Sequence, residues 1–307
     1  MSNSFIINLK IKVKSSGEVK EMFKLSVITD EVSQDLESAS KFAKDFNLEG
    51  VELRNVWGKP PQDLLEESNR IKKILAKYEL KVSAIASPFF KADLNNPKEY
   101  AKHLEILKRC IELAKNLETN IIRGFTFWRT GSLEEHMDEI VEKFQKPLEI
   151  VESEDIILGI ENEPATFVRN GRELHQFLNR VKSKNVKAVW DPGNVIFDPS
   201  GEVPYPDGYR YVRGEIVHVH IKDGIRKGEG GKPEWVPFGE GEVDYRGQLK
   251  ALKDDGYDGY LSLETHWRLK KIPKDLIIKP SGEVYSSLRE ESSRICMKNL
   301  KNMLREI

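Results

Sequence analysis

A chain of 307 residues with 39% hydrophobic and 32% charged residues holds enough apolar material for a sizeable core and reads as a soluble globular protein. Its 49 basic and 50 acidic side chains nearly cancel, which removes the electrostatic argument for nucleic acid or an anionic membrane as partner. No apolar run approaches the ~20 residues of a membrane span, and the N-terminus has no signal-peptide core, so a cytoplasmic location is expected.

Residues 1–22 form an N-terminal extension. Within it Phe5, Ile7, Leu9, Ile11 and Val13 alternate with polar residues before a turn-like Ser15-Ser-Gly-Glu18, which suits a strand or hairpin as well as a poorly ordered leader. From Phe23 a regular beat begins. Strand-like runs at 23–28, 50–53, 81–86 and 120–123 alternate with helical periodicity at 36–46, 61–78, 97–117 and 133–151. The second half continues with strands at 156–161, 186–191, 216–220 and 260–264, and helices at 171–181, 245–254 and 287–304. Segments 199–208 and 227–241 are rich in Pro and Gly and read as long loops after strands, as does 268–284 after the last one. Cys110 and Cys296 fall in helical segments without metal-ligand spacing and are expected to be buried free thiols.

Eight short apolar runs, each followed by a mostly helical connection, describe parallel strands buried on both faces and joined by right-handed crossovers. In fewer than 300 residues this fits an α/β fold closed into a (β/α)8 TIM barrel, spanning 23–307 as a single domain. An open doubly wound sheet usually carries a glycine-rich turn after its first strand, and Thr29-Asp-Glu-Val-Ser33 contains no glycine.

The C-terminal strand ends of such a barrel form its catalytic face, and here they are crowded with polar residues. In chain order they are Glu52 and Arg54, Ser87, Arg123, Glu161 and Glu163, Asp191 and Asn194, His218 and His220, and Glu264 and His266. Buried strand ends so charged need partners or a cation. At the first of them, Glu52 reads as a structural ion pair with Arg54 as its partner. Period-two alternation turns His218 and His220 to one side and Val219 to the other. Oxygen and imidazole groups of this kind suit a divalent metal.

The segments Gly159-Ile-Glu-Asn162, Val189-Trp-Asp-Pro-Gly-Asn194, His218-Val-His-Ile-Lys-Asp223, Gly239-Glu-Gly-Glu-Val-Asp244 and Leu261-Ser-Leu-Glu264 occur in this order at barrel spacing. Together they resemble the xylose isomerase-like TIM barrels, a superfamily of sugar phosphate isomerases and epimerases, ketose 3-epimerases, inosose dehydratases and apurinic endonucleases. The resemblance implies one divalent metal ion (Mn²⁺, Mg²⁺, Co²⁺ or Zn²⁺) held by Glu161, Asp191, His220 and Glu264. It also implies that Glu161 and Glu264 serve as the acid/base pair. The multi-metal endonucleases carry a histidine three positions after the aspartate. Here that position is Asn194 in a chain of only six histidines, which points away from DNA repair.

Such a cation polarises a carbonyl and its neighbouring hydroxyl and stabilises an enediolate, while a base moves the proton on the adjacent carbon. The expected substrate is a small sugar, polyol or sugar phosphate. Lys222, Glu240, Arg54, Arg123, Asn194, Glu163 and His218 are the candidate substrate-binding residues, with Asn194 equally suited to holding its Pro-Gly turn through an Asx hydrogen bond. Trp57, Phe89, Phe125, Phe127, Trp128, Trp235 and Trp267 offer faces for a sugar ring. The expected activity is isomerisation or epimerisation. Its rivals are a lyase or dehydratase of inosose or keto-glycoside type, a sugar-binding barrel without turnover and, least favoured, an apurinic endonuclease. A homo-oligomer is compatible with the sequence.

Overall fold

A computed structural model describes residues 23–269 and 283–307; the N-terminal extension and most of the loop expected at 268–284 lie outside the described residues. Strand β1 (Lys24–Val27) leads into a single turn α1 (Thr29–Val32) and helix α2 (Leu36–Asp45), and β2 (Gly50–Leu53) into α3 (Ser68–Lys77). Next come β3 (Lys81–Phe89) with α4 (Pro97–Asn116), β4 (Ile121–Gly124) with α5 (Leu133–Ser153), and β5 (Ile157–Glu161) with α6 (Gly171–Val181). Strand β6 (Val186–Trp190) is followed by the short helices α7 (Pro192–Ile196) and α8 (Tyr209–Val212). After β7 (Ile216–Ile221) a hairpin of β8 (Asp223–Ile225) and β9 (Glu234–Val236) precedes α9 (Tyr245–Asp254), and β10 (Tyr260–Leu263) precedes the closing helix α10 (Glu283–Arg305).

Eight of these strands form one parallel sheet in the order β1-β10-β7-β6-β5-β4-β3-β2. Its two ends meet at a seam where Ile28 bridges to Glu52, Glu49 N–H donates to the Leu25 carbonyl at 3.0 Å and Arg54 N–H donates to Thr29 Oγ1 at 3.1 Å. The fold is the expected (β/α)8 barrel. Polar caps start the helices where the sequence places them: Asp35 for α2, Asn96 ahead of Pro97 for α4, a Ser132/Glu135 capping box for α5, and Asn170 for α6. Each satisfies amide groups that the first turn leaves without partners.

Three local differences have physical causes. The helix expected over 61–78 begins only at Ser68, because Pro61–Asp63 and Leu65–Glu67 form separate tight turns under α4. The loop expected over 227–241 contributes β9 to a hairpin that the Gly and Pro content concealed. Pro192, read from the sequence only as part of a Pro-Gly turn, occupies the first helical position of α7, where it has no amide to lose. Between the sheet and α4, α5 and α6 lies a cluster of rings: Phe90 stacks on Phe89 and Phe127, and Phe144 meets Phe177 edge-on. Phe89 and Phe127 are therefore core residues and not faces for a sugar. Both cysteines are free and buried. Among the described residues no helix is long and apolar enough to cross a membrane.

Candidate metal centre and active site

The strand ends bring four side chains together. Glu161 closes β5, Asp191 follows β6, His220 lies in β7, and Glu264 follows β10; all are buried, with one ligand atom from each lying within 4.8 Å of the others. His220 Nδ1 faces Glu161 Oε1 at 3.4 Å, Glu264 Oε2 at 3.6 Å and Asp191 Oδ2 at 3.7 Å. These separations exceed hydrogen-bond lengths. His220 Nδ1 is also a buried atom without a hydrogen-bond partner, and such an atom is costly unless something satisfies it. Three carboxylates and one imidazole lone pair converging on one point fit a divalent cation, as the resemblance implies.

Each of these four side chains is held from behind. Asp191 Oδ1 caps α7 by accepting from the Asn194 amide at 2.9 Å, and its own amide donates to Asn162 Oδ1. Gly193 is obligatory at this turn, since a Cβ there would lie 2.6 Å from the Lys222 carbonyl oxygen. Asn194 donates its side-chain amide to Glu161 Oε1 at 3.0 Å and to the Asn162 carbonyl at 2.9 Å. It therefore braces Glu161, and its backbone closes the Asx-type turn. Arg123 reaches the other oxygen of Glu161 at 3.1 Å. Arg54 binds three carboxylates at once, each at 2.6 Å: Asp30 Oδ1 through Nε, Glu264 Oε1 through Nη1 and Glu31 Oε1 through Nη2.

This arrangement corrects one expectation. Glu52 does not pair with Arg54; its buried carboxylate meets both imidazoles of β7, His218 Nε2 at 2.8 Å and His220 Nε2 at 3.0 Å. Arg54 instead turns to Asp30 and Glu31, which sequence reasoning passed over. Their signal was present in Thr29-Asp-Glu31, another cluster of polar residues at a strand end, read only for its lack of glycine.

The remaining candidates divide by position. Lys222 is buried among the four converging side chains, 2.7 Å from Asp191 Oδ2 and 2.5 Å from Glu264 Oε2, with its ammonium 5.2 Å from the Trp235 ring centroid. Its next neighbour Asp223 accepts from the amides of Gly224, Gly239, Gly241 and Val243, tying down the Gly239-Glu-Gly loop. Glu240 sits exposed in that loop. Glu163 is half-buried at the rim and pairs with Lys91 at 2.8 Å, whose ammonium lies over Phe125. His218 lies one pleat deeper than His220 and is fully buried, so it faces Glu52 and not the mouth.

Burial opposes ionisation of Glu161, but the His220 and Arg123 charges outweigh it and hold the carboxyl well below its usual range. Glu264 is likewise held low against burial, chiefly by Lys222 and then His266. Lys222 stays charged despite burial because Asp191 and Glu264 stand beside it. Burial also opposes ionisation of Glu31, yet Arg268 and Arg54 lower its pKa from 4.5 to about 2. A carboxyl depressed on folding stabilises the folded state above its unfolded pKa, and the contribution disappears as pH falls through the folded value. Stability from Glu31 should thus be complete above about pH 4.5 and decline toward pH 2. Urea midpoints measured between pH 6 and pH 3 should fall less steeply for Glu31→Gln than for the wild type; equal slopes would contradict the ion pairing.

A profile of the family described as xylose isomerase-like TIM barrel matches residues 40–287. The chain belongs to that family. The inosose dehydratase of Clostridium perfringens is 24% identical over 257 residues, covering 72% of this chain and 80% of that one. The L-ribulose-5-phosphate 3-epimerase UlaE of Shigella flexneri is 23% identical over 185 residues, 58% of this chain and 61% of the other. Among solved structures, a xylose isomerase domain protein from Planctomyces limnophilus superposes with a TM-score of 0.71 at 16% identity, covering 94% of this chain and 99% of that one. The D-allulose 3-epimerase from Methylomonas sp., solved with D-allulose, gives 0.68 at 18% identity, with 93% and 97% covered. The IOLI protein, solved with a bound zinc atom, gives 0.69 at 16% identity, with 92% and 98% covered. The family relatives of this chain thus include both sugar epimerases and dehydratases.

Proposed function

We propose that the protein is a divalent-metal-dependent isomerase or epimerase of a small sugar, polyol or sugar phosphate. The observation that carries this reading is the buried convergence of Glu161, Asp191, His220 and Glu264 at the strand ends, with Glu161 and Glu264 contributed by strands on either side of His220 and Asp191. A cation held by these four would polarise a substrate carbonyl and the hydroxyl beside it.

The chain's own residues supply the rest. Glu161 and Glu264 are placed to remove and return a proton on the carbon next to that carbonyl. Arg54 and Arg123 each bind the carboxylate oxygen turned away from the centre, which fixes the direction of the other. Lys222 sits where it can donate to a substrate oxygen as charge develops there. Trp235 gives the rim a face for a sugar ring, and Glu163 and Glu240 give it acceptors for hydroxyl groups, whereas Phe125 is fully buried like Phe89 and Phe127. His218 and Asn194 support the ligands from behind.

A second reading has a specific observation behind it. The similarity to inosose dehydratase extends over most of both chains, and the same base would eliminate a leaving group from the β carbon. The test is a screen of ketoses, inososes, keto-glycosides and sugar phosphates with Mn²⁺, Mg²⁺, Co²⁺ or Zn²⁺ in deuterated buffer, read by mass spectrometry. The proposed reaction yields a product unchanged in mass except for deuterium gained at carbon. Loss of water or aglycone would establish the lyase, and binding without turnover of any class would leave a sugar-binding barrel.

A further inference from the structure

Glu52 is a single buried carboxylate shared by two imidazoles. Its Oε2 lies 2.8 Å from His218 Nε2, and its two oxygens lie 3.0 and 3.1 Å from His220 Nε2, with all three side chains fully buried. The two rings stand nearly perpendicular, at 88°. An ionised carboxylate only accepts hydrogen bonds, so each nitrogen facing it carries the proton. The other nitrogen of His220, Nδ1, is the one turned to Glu161, Asp191 and Glu264. We infer that Glu52 is a positioning residue for the cation site, keeping the His220 proton on Nε2 and the Nδ1 lone pair aimed at the ligand set. His218 takes part by occupying Glu52 Oε2, which leaves the carboxylate no freedom to rotate away from His220. The inference rests on the metal reading above.

The chemistry of an amide at this position makes the role measurable. Glutamine has the shape of glutamate but offers one acceptor oxygen and one donor nitrogen. In Glu52→Gln the amide can accept from only one imidazole, and the other must move its proton to Nδ1 or face a like donor. When that imidazole is His220, the lone pair needed by a cation is lost. Removing a carboxylate that orients a ligating histidine typically weakens metal binding about 10- to 100-fold. A role confined to folding would instead lower stability and leave the affinity of the folded protein unchanged.

The experiment titrates purified full-length chains with Co²⁺, following its visible absorption, alongside far-ultraviolet circular dichroism. Glu52→Gln should fold as the wild type does and bind Co²⁺ about 10- to 100-fold more weakly. Adding His218→Leu to Glu52→Gln should recover part of that loss, because the amide oxygen then serves His220 alone. In the zinc-loaded wild type, ¹⁵N-histidine spectra should place the His220 proton on Nε2 with Nδ1 as the ligating nitrogen, a measurement that stands even where a variant does not fold. Equal Co²⁺ affinity in Glu52→Gln, no recovery in the double variant, or ligation through Nε2 would overturn the inference while the metal site itself survived. A wild type that takes up neither Co²⁺ nor Zn²⁺ would overturn both.

Discussion

Replacing Glu264 by glutamine is expected to abolish deuterium incorporation into substrate and to lower kcat by about 10²- to 10⁴-fold, the usual worth of a general base. The substitution keeps volume and shape but removes basicity. It also leaves Lys222 and Arg54 each with one fewer carboxylate, since both now bind Glu264 at 2.5 and 2.6 Å. Lys222 retains Asp191, and Arg54 retains Asp30 and Glu31, so the folded barrel should tolerate the change. Metal content measured on the same preparation separates loss of base from loss of ligand. A variant that still holds metal but no longer exchanges deuterium identifies Glu264 as the base, and normal exchange would remove it from that role.

The second large effect concerns the cation. Wild-type protein should contain about one divalent ion per chain, and Asp191→Asn and His220→Ala should each lose it on dialysis, read by elemental analysis. Asparagine is the more telling replacement at 191. Asp191 Oδ1 caps α7 through the Asn194 amide, and alanine would lose that cap together with the ligand at a cost of about 0.5–2 kcal/mol. Asparagine keeps an acceptor for the cap and removes the charge. Metal loss with an unfolding midpoint equal to that of the metal-free wild type then belongs to coordination alone. Unchanged metal content in both variants would refute the assignment of the site.

How much of this was legible in the sequence follows from what each signal depends on. The strands and most helix bounds came through because apolar periodicity and caps are local: 50–53, 171–181 and 245–254 match the structure residue for residue. The convergence of Glu161, Asp191, His220 and Glu264 was legible because each stands at the end of its own strand, and barrel topology then brings strand ends together without further information. Pairings across the barrel were not legible. Glu52 and Arg54 are two residues apart and read as partners, yet their contacts lie with His218, His220, Glu264, Asp30 and Glu31. Which carboxylate meets which cation depends on register and on the direction of each side chain around a closed ring, and no spacing rule carries either. Asn194 shows the same limit. Its backbone role at the turn is local, but its reach to Glu161 crosses from one strand end to the next.

The seam between the first two strands gives Glu52 a further significance. Its backbone forms the bridge to Ile28 that shuts the ring, while its side chain steadies imidazoles contributed by β7, more than 160 positions later in the chain. Shutting the ring and aiming the imidazole therefore depend on the same residue. The four converging side chains all come from the second half of the barrel, but Glu52 and Arg54, which brace His220 and Glu264, come from the first. Under the proposed function, cation uptake would report that the first quarter of the polypeptide has docked onto the strands of the second half.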